Sequence, residues 1–336
     1  MNNVEKKEMK MSRIITILIC VALIGCILPI DSVSGQSIDK KLTLGYVAGV
    51  QDPFMVLIEK GAEDKAKELG NAEVISQIPG VWSVDVQSPI WKAMAARGVD
   101  LVFGCPVDKE ALIPVLRDVY QRGVPVITTD TYIGDGDYTS GSDSFVLSAI
   151  HTDNIAAGEK AGNALAELLG GKGKVYLQEF HVGVSTSDER SLGFVKAIEQ
   201  YPDIELVGQN SCDDDQDLAQ TQTAAMLKAH PDINGVFGNN LFACLGAAMG
   251  VYNAGLSGAV IVVGFDAAPS SVEMLRKGWM DAIVSQQPYK IGQEVAIWAV
   301  RYLREGVLPP RKINIGSVLF TKENVNDPEM DKYIYK

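Results

Sequence analysis

Apolar and polar residues follow two different periods along the chain, and segments of the two kinds alternate. Leu42–Val47 is a short β-rich apolar run, which predicts a strand. Phe54–Leu69 has apolar residues at a spacing close to 3.6, which predicts an amphipathic helix. The same order of strand and helix repeats as far as Glu305, with glycine-containing turns between the elements.

The pattern divides into two series of elements that meet near residue 170. The first series predicts strands and helices at Leu42–Val47, Phe54–Leu69, Glu73–Ser76, Val84–Arg97, Asp100–Gly104, Lys109–Gln121, Val126–Thr129, around Ile150, and Asn154–Leu169. The second series predicts them at Lys174–Gln178, Ser187–Gln200, Ile204–Gly208, Leu218–Ala229, Gly235–Gly238, Phe242–Ala254, Ala259–Gly264, Ser270–Lys277, Ala282–Ser285 and Ile291–Glu305.

Strands that alternate with helices of this length indicate an α/β protein with parallel sheets and right-handed crossovers. About eleven strands are too many for one ordinary doubly wound sheet. A closed eight-stranded barrel is the main structural alternative. Because each half repeats the alternation four or five times, we predict two similar doubly wound parallel-sheet lobes. Ligands of open α/β sheets bind beyond the carboxyl ends of the strands, so two such sheets that face each other would form a cleft there.

The N-terminal residues have the order of a secretory signal. Lys6, Lys7, Lys10 and Arg13 precede the apolar run 14–30, and a small, polar stretch over 31–35 follows. This order predicts a signal peptide over 1–35 and a periplasmic or extracellular protein. Two processing routes remain open: cleavage before Gln36, or a lipobox over 23–26 that would leave a lipid anchor at Cys26.

Composition narrows the classes of function. The chain is 47% hydrophobic and 21% charged, which suits a large folded core. Its net charge of −12 argues against a nucleic-acid partner, since nucleic acids select basic surfaces. Beyond the leader lie Cys105, Cys212 and Cys244, an odd number, which we interpret as small buried side chains with at most one disulfide pair.

Four predicted strands end in polar residues. Asp130 follows the strand 126–129, Asn240 follows 235–238, Asp266 follows 259–264, and Gln286 follows 282–285. Each residue alone could be a turn former or a helix N-cap. Four polar residues at equivalent positions favour one shared polar site.

Asp52-Pro53-Phe54 and Arg190 add to this set. Asp52 and Pro53 have a purely structural explanation, because Asp is common at the N-cap of a helix and Pro at its first position. Phe54, however, lies where its ring could pack on the C–H face of a sugar. Arg190 lies early in a predicted helix, where the helix dipole gives a cation no advantage. A surface role for Arg190 remains an even alternative.

The ordered set of these motifs resembles the ribose-binding type of periplasmic substrate-binding proteins, which serve sugar ABC importers. The motifs that carry the resemblance are Gly45-Tyr46-Val47, Asp52-Pro53-Phe54-Met55, Gly123-Val124-Pro125-Val126-Ile127-Thr128-Thr129-Asp130, Thr152-Asp153-Asn154, Glu189-Arg190-Ser191-Leu192-Gly193-Phe194, Ala229-His230-Pro231-Asp232, Val236-Phe237-Gly238-Asn239-Asn240, Val263-Gly264-Phe265-Asp266 and Ser285-Gln286-Gln287-Pro288. The resemblance implies a clamp of two lobes with a three-strand hinge, and crossovers near 152–154, 286–288 and 313–316. It implies a first lobe over 40–152 and 287–313 and a second lobe over 154–285 and 317–336.

The resemblance also implies the ligand contacts, which are Asp52, Phe54, Met55, Asp130, Arg190, Asn240, Asp266 and Gln286. Thr131 stands where the family usually has a second arginine, Met55 replaces a second aromatic residue, and an aromatic position of the second lobe falls near Asp214. Trp82 could restore stacking. These differences argue against ribose itself and favour another monosaccharide or polyol. An amine-bearing sugar is the minority alternative, because aspartates outnumber Arg190.

The remaining sequence patterns do not indicate a metal, phosphate or catalytic site. Asp213, Asp215 and Asp217 have the first spacings of a calcium loop, but the glycine and glutamate that such a loop needs are missing, so we interpret the run as a helix cap. No metal-ligand spacing, phosphate loop or nucleophile elbow is evident, and we predict no cofactor, no metal and no catalysis. The predicted function is a monomeric solute receptor for an ABC importer. The alternatives are the same receptor serving a chemoreceptor or sensor kinase, and a secreted α/β sugar enzyme.

Overall fold

The computed structural model describes residues 40–336. The predicted signal peptide over 1–35 and the candidate lipid-anchor residue Cys26 lie outside the described residues. None of the described helices combines the length and the apolar character that crossing a membrane requires.

Six strands form the first sheet, and every neighbouring pair in it is parallel. These strands are β1 (Leu42–Val47), β2 (Ala72–Gln77), β3 (Leu101–Gly104), β4 (Val126–Thr129), β5 (Ser148–Thr152) and β11 (Lys312–Ile315), in the spatial order β11-β5-β4-β3-β1-β2. The central strands β3, β4 and β5 are buried along their whole length, as parallel strands covered on both faces must be.

The second sheet repeats this order. Its strands are β6 (Lys172–Glu179), β7 (Asp203–Ser211), β8 (Ile233–Gly238), β9 (Ile261–Phe265), β10 (Ala282–Ser285) and β12 (Val318–Thr321), in the spatial order β12-β10-β9-β8-β6-β7. Only the pairing of β10 with β12 is antiparallel in this sheet. The repeat confirms the predicted fold class of two similar doubly wound lobes and excludes the closed barrel.

Nine described α-helices connect the strands and cover the faces of both sheets. They are α1 (Pro53–Leu69), α2 (Val84–Ala96), α3 (Ile113–Gln121), α4 (Asn154–Leu168), α5 (Ser185–Ile198), α6 (Gln216–Ala229), α7 (Leu241–Asn253), α8 (Pro269–Lys277) and α9 (Pro288–Glu305). The sequence pattern placed the start of α9 at Ile291, three residues late, because Pro288 is the kind of residue that opens a helix without showing apolar periodicity. A 3₁₀ helix (Pro328–Tyr333) lies close to the C-terminus.

The chain crosses between the two sheets three times. It leaves the first sheet at the end of β5, returns after β10 to form α9, and leaves again between β11 and β12. Helix α9 packs against α1, so the chain after β10 belongs to the layer of the first sheet. These three crossings between the sheets are the connecting segments that the sequence predicted as the hinge of a two-lobed fold.

Candidate functional site

A cleft between the two sheets is lined by the residues that follow the carboxyl ends of the strands. The residues around it are Val50, Asp52, Pro53, Phe54, Met55, Trp82, Asp130, Phe180, Thr186, Arg190, Asp214, Asn240, Leu241, Phe242, Asp266, Gln286 and Tyr335. The structure therefore brings all ten predicted site residues to one cavity. Five of them follow strands directly or after a short turn, which is the arrangement that the doubly wound topology dictates.

Asp130 and Asp266 occupy equivalent places in the two sheets. Each follows a central strand and adopts a left-handed backbone conformation, with φ of 61° and 72° respectively. The amide of Asp130 donates to the carbonyl of Ile150 at 3.1 Å, and the amide of Asp266 donates to that of Val284 at 2.8 Å. Each aspartate is thus fixed by the neighbouring strand and turned out of the sheet at the cleft.

Asp130 is buried with one oxygen unused. Its Oδ2 accepts a weak hydrogen bond from Cys105 Sγ at 3.5 Å, while its Oδ1 has no hydrogen-bond partner among residues 40–336. Burial raises the pKa of this carboxyl group to about 6, although the positive charge of Arg190 opposes the rise. A buried acceptor without a donor is costly, so the site is prepared to receive a hydrogen-bond donor.

Arg190 is held from several sides. Its Nε donates to Asn154 Oδ1 at 2.9 Å, and its Nη1 donates to the carbonyl of Asn239 at 3.0 Å. The guanidinium lies 4.0 Å from the centroid of the Phe265 ring. The side chain is only 3% exposed, so the surface role considered for it from the sequence is excluded. These protein contacts fix the orientation of the guanidinium at the cleft.

Asp52 and Asp214 add two further carboxyl groups at the rim of the cleft. Burial raises the pKa of Asp52 to about 7, and nearby Asp266 and Asp130 contribute to the rise. Burial also raises the pKa of Asp214 to about 6. Asp52 caps α1 by accepting the amide proton of Met55, and Asp214 accepts a hydrogen bond from Asn240 Nδ2 at 2.6 Å. Four aspartates and one arginine make the lining strongly acidic.

Aromatic rings line the cleft in both lobes. Phe54 and Trp82 come from the first lobe, as the sequence suggested, and Trp82 Nε1 donates to the carbonyl of Val107 at 3.0 Å. Phe180 and Phe242 come from the second lobe, and sequence reasoning missed both. Phe180 directly follows β6, so the strand-end rule used for polar residues would have found it had it been applied to rings.

Gln286 connects the cleft to the hinge. Its Nε2 donates to Asp266 Oδ1 at 2.7 Å, and its Oε1 accepts from Thr152 Oγ1 at 2.7 Å. Thr152 ends β5 at the first crossover, and Gln286 follows β10 at the second. One amide side chain therefore joins a cleft carboxylate to two of the three connecting segments.

Tyr335 is the residue that sequence reasoning had least chance to find. It lies next to the C-terminus, far along the chain from the other site residues, yet it lines the cleft and is only 2% exposed. Its hydroxyl group donates to Asp266 Oδ1 at 3.1 Å and accepts the amide proton of Gln286 at 2.8 Å. No local sequence motif predicts the contacts of Tyr335 with Asp266 and Gln286, because both partners lie far from it in sequence.

The lobes touch each other across the cleft. Trp82 of the first lobe packs against a small apolar cluster of the second lobe that includes Phe180 and Val184. Tyr132 of the first lobe donates its hydroxyl proton to Glu189 Oε1 at 3.0 Å. Lys109 Nζ and Asp188 Oδ2, also from different lobes, lie 3.2 Å apart. These contacts describe a closed clamp.

The remaining sequence candidates have structural explanations. Asp215 caps α6 by accepting the amide protons of Asp217 and Leu218, as the helix-cap interpretation expected. Cys105, Cys212 and Cys244 are all buried free thiols. Within residues 40–336 no group of three or more His, Cys, Asp or Glu side chains is arranged to hold a metal ion.

A family model described as the periplasmic binding protein domain matches residues 46–306. The chain belongs to this family. Its members are transport receptors and not enzymes, so the expectation of a non-catalytic protein is confirmed, as is the resemblance to the ribose-binding type. The family functions outside the cytoplasm, which agrees with the location predicted from the leader.

Curated relatives and solved structures agree with this assignment. The ribose import binding protein of Bacillus subtilis is 30% identical over 261 residues, which cover 76% of this chain and 79% of the relative. The D-allose-binding periplasmic protein of Escherichia coli is 28% identical over 244 residues, 72% of this chain and 78% of the relative. An ABC transporter solute-binding protein from Agrobacterium vitis, solved with bound α-D-tagatopyranose, is 38% identical with a TM-score of 0.85, and the match covers 88% of this chain and all of that one.

Proposed function

We propose that the protein captures one neutral monosaccharide or polyol in the cleft and delivers it to an ABC importer in the membrane. Family membership supports the role of a transport receptor. The relatives named for ribose and D-allose, and the 38% identical protein that holds tagatopyranose, support a simple sugar as the cargo. Because tagatose is a ketohexose, hexoses are the first candidates.

The observation that carries this proposal is the convergence of Asp130, Arg190 and Asp266 on one cavity, with Asp130 Oδ1 buried and unpaired. Adjacent sugar hydroxyls each offer one donor and two acceptor sites, so they can donate to the carboxylates and accept from the guanidinium. Hydrogen bonds to charged groups are the strong ones, and closure of the lobes over the sugar removes competing water. Rings on both walls can pack on the C–H faces of the sugar.

The excess of carboxylates over basic side chains in the cleft limits the charge of the sugar that can bind there. Four aspartates face the cavity with Arg190 as the one basic side chain among the described lining residues. Sugar acids and sugar phosphates would meet repulsion there. A neutral sugar fits, because it can donate protons to carboxylates. The same excess favours an amine-bearing sugar as the second candidate.

We assign ligand contact to the ten residues predicted from the sequence, which are Asp52, Phe54, Met55, Trp82, Asp130, Arg190, Asp214, Asn240, Asp266 and Gln286. We further propose lobe boundaries at 40–152 with 287–313, and at 154–285 with 317–336. The strands of the two sheets support this division, except that β11 of the first sheet continues beyond 313 to Ile315. In this proposal the receptor is a monomer, does not bind nucleic acid, and is either secreted or anchored through Cys26.

Thermal unfolding in the presence of a sugar panel tests the function. The panel contains ketohexoses, aldohexoses, pentoses, polyols and an amino sugar, with uronic acids and sugar phosphates as charged controls. A ligand that binds only the folded state stabilises it by about 2.7 kcal/mol at a hundred times Kd, so a cognate sugar should raise Tm by several degrees. The charged controls should leave Tm unchanged. Failure of every neutral and amino sugar to raise Tm would contradict the proposal.

A further inference from the structure

The C-terminal tail is built into the wall of the cleft. The amide of Tyr335 donates to the carbonyl of Ala267 at 3.0 Å, one residue beyond Asp266. Ser285, the residue before Gln286, donates its hydroxyl proton to the carbonyl of Tyr333 at 2.8 Å. The tail thus runs beside both loops that carry cleft residues, and Gln286 and Tyr335 line both the cleft and a second cavity of about 350 Å³.

Two polar contacts of the Tyr335 hydroxyl involve residues of the proposed site, and a third involves the side chain of Ser285 beside it. The hydroxyl accepts the amide proton of Gln286 and donates to Asp266 Oδ1, the same oxygen that Gln286 Nε2 reaches. Two donors therefore converge on Oδ1. Oδ2 of Asp266 has no protein donor among residues 40–336 and is left for a ligand.

The ring of Tyr335 makes a contact of a different kind. It packs edge-on against Phe54 of the first lobe, with the ring centroids 5.7 Å apart. The tail itself follows β12, a strand of the second sheet. A single residue near the C-terminus therefore supports a cleft ring of one lobe and a cleft carboxylate of the other.

We propose that Tyr335 is a positioning residue of the binding site, an inference that rests on the proposed function. Its hydroxyl fixes the carboxylate of Asp266 so that Oδ2 faces the sugar, and its ring supports Phe54. Through Gln286, which also bonds Thr152, the tyrosine couples the ligand-bearing carboxylate to the hinge. The C-terminal residues thereby contribute to affinity and selectivity.

The test compares Tyr335→Phe with wild type by calorimetric titration, using the sugar that the panel identifies. Phenylalanine keeps the ring contact and removes the hydroxyl, so Kd should rise about tenfold. Because the buried amide of Gln286 also loses its acceptor, Tm without sugar should fall by a few degrees, and the titration is made well below the Tm of both proteins. Tyr333→Phe is the matched control in the same tail. The Tyr333 hydroxyl makes no hydrogen bond with residues 40–336, so this variant should bind as wild type does.

A double-mutant cycle separates positioning from a general structural effect. If the hydroxyl acts through Asp266, then Tyr335→Phe should cost little further affinity in an Asp266→Asn background, and the two losses should not add. Wild-type affinity in Tyr335→Phe, or fully additive losses, would overturn the inference while the proposed function stands. Failure of the wild-type protein to bind any sugar would overturn the proposed function and this inference with it.

Discussion

Asp130 and Asp266 each combine a left-handed backbone with a carboxyl group turned into the cleft. Residues other than glycine rarely adopt positive φ, and Asn and Asp tolerate it best because their short polar side chains bond locally. Replacement by alanine would therefore change the backbone energy together with the charge. Asparagine keeps the shape and the conformational preference, so Asp→Asn isolates the contribution of the carboxylate.

We expect Asp130→Asn and Asp266→Asn each to weaken sugar binding by about 10- to 100-fold, because a hydrogen bond to a charged group contributes about 1.5–3 kcal/mol. Tm without sugar should change little. Calorimetric titration measures the loss. Asp203→Asn, at an exposed position on β7 away from the cleft, is the control and should leave Kd unchanged. Wild-type affinity in both cleft variants would remove these aspartates from the site.

The raised pKa values of Asp52, Asp130 and Asp214, caused mainly by burial, make ligand-free stability depend on pH. Each carboxyl group holds its proton more tightly in the folded state than in the unfolded state. Their contribution to stability is therefore complete below about pH 4 and is lost as pH rises through about 6 to 7.

The ligand-free protein should accordingly lose part of its stability between pH 5 and pH 8. Differential scanning calorimetry at both pH values measures the difference in Tm. Asp130→Asn cannot ionise at this position, so its Tm should fall less than that of wild type over the same range. An identical fall in both proteins would show that Asp130 does not have the raised pKa.

At the scale of elements, glycines set the distance between paired helices. In the second lobe α4 packs against α5 at Gly158, where an added Cβ would overlap the carbonyl oxygen of Arg190. In the first lobe α1 packs against α9 at Gly61 and Gly292, which face the carbonyls of Tyr289 and Ile58 in the same manner. The close approach of α4 and α5 places the backbone of Arg190, and with it the guanidinium, at the cleft.

Gly158→Ala should push α5 away from α4. Overpacking of this kind costs about 1–3 kcal/mol, which lowers Tm by several degrees, and the displaced Arg190 should also weaken sugar binding. Thermal unfolding and titration of the same sample measure both effects. Gly80→Ala is the control, since its added Cβ meets no atom within 4 Å and its Tm should match that of wild type. An unchanged Tm in Gly158→Ala would contradict the packing argument.

The elements that sequence reasoning could predict are those with a local signal. Helix α1 begins with Asp52 and Pro53 and continues at the 3.6 spacing, so its start could be predicted to within one residue. The strand-end aspartates were predictable because topology fixes where the carboxyl ends of parallel strands lie. Strands β11 and β12 were missed, because both are only partly buried and lack the continuous apolar run that marked the equally short but fully buried strands β3, β4 and β10. Tyr335 was missed because only the folded chain brings the tail to Asp266.

At the scale of the whole molecule, the contacts between the lobes describe how closure is held. Tyr132 does not line the cleft, yet its hydroxyl bonds Glu189 and its amide bonds Ser185 Oγ at 3.4 Å. Its contribution to binding is therefore indirect and comes from the balance between open and closed forms. Sequence reasoning could predict the clamp from the resemblance, but not these side-chain contacts, because each one joins residues that are distant in sequence.

Tyr132→Phe should shift the balance towards the open form. Loss of one hydrogen bond of the closed form is expected to raise Kd about three- to tenfold, since apparent affinity falls with the population of the competent state. Calorimetric titration measures the change. Tyr201→Phe removes a hydroxyl whose contact with Asn163 stays within the second lobe, and it should bind as wild type does. Equal affinities of Tyr132→Phe and wild type would show that this contact does not stabilise closure.

The crystal structure of the protein with the sugar that raises its Tm tests the central claim most directly. The account predicts one sugar molecule between the lobes, with hydroxyl groups within 3.2 Å of Asp130, Arg190 and Asp266 and a ring of Phe54 or Trp82 against its C–H face. A sugar bound elsewhere on the molecule, with this cleft holding only water, would contradict it.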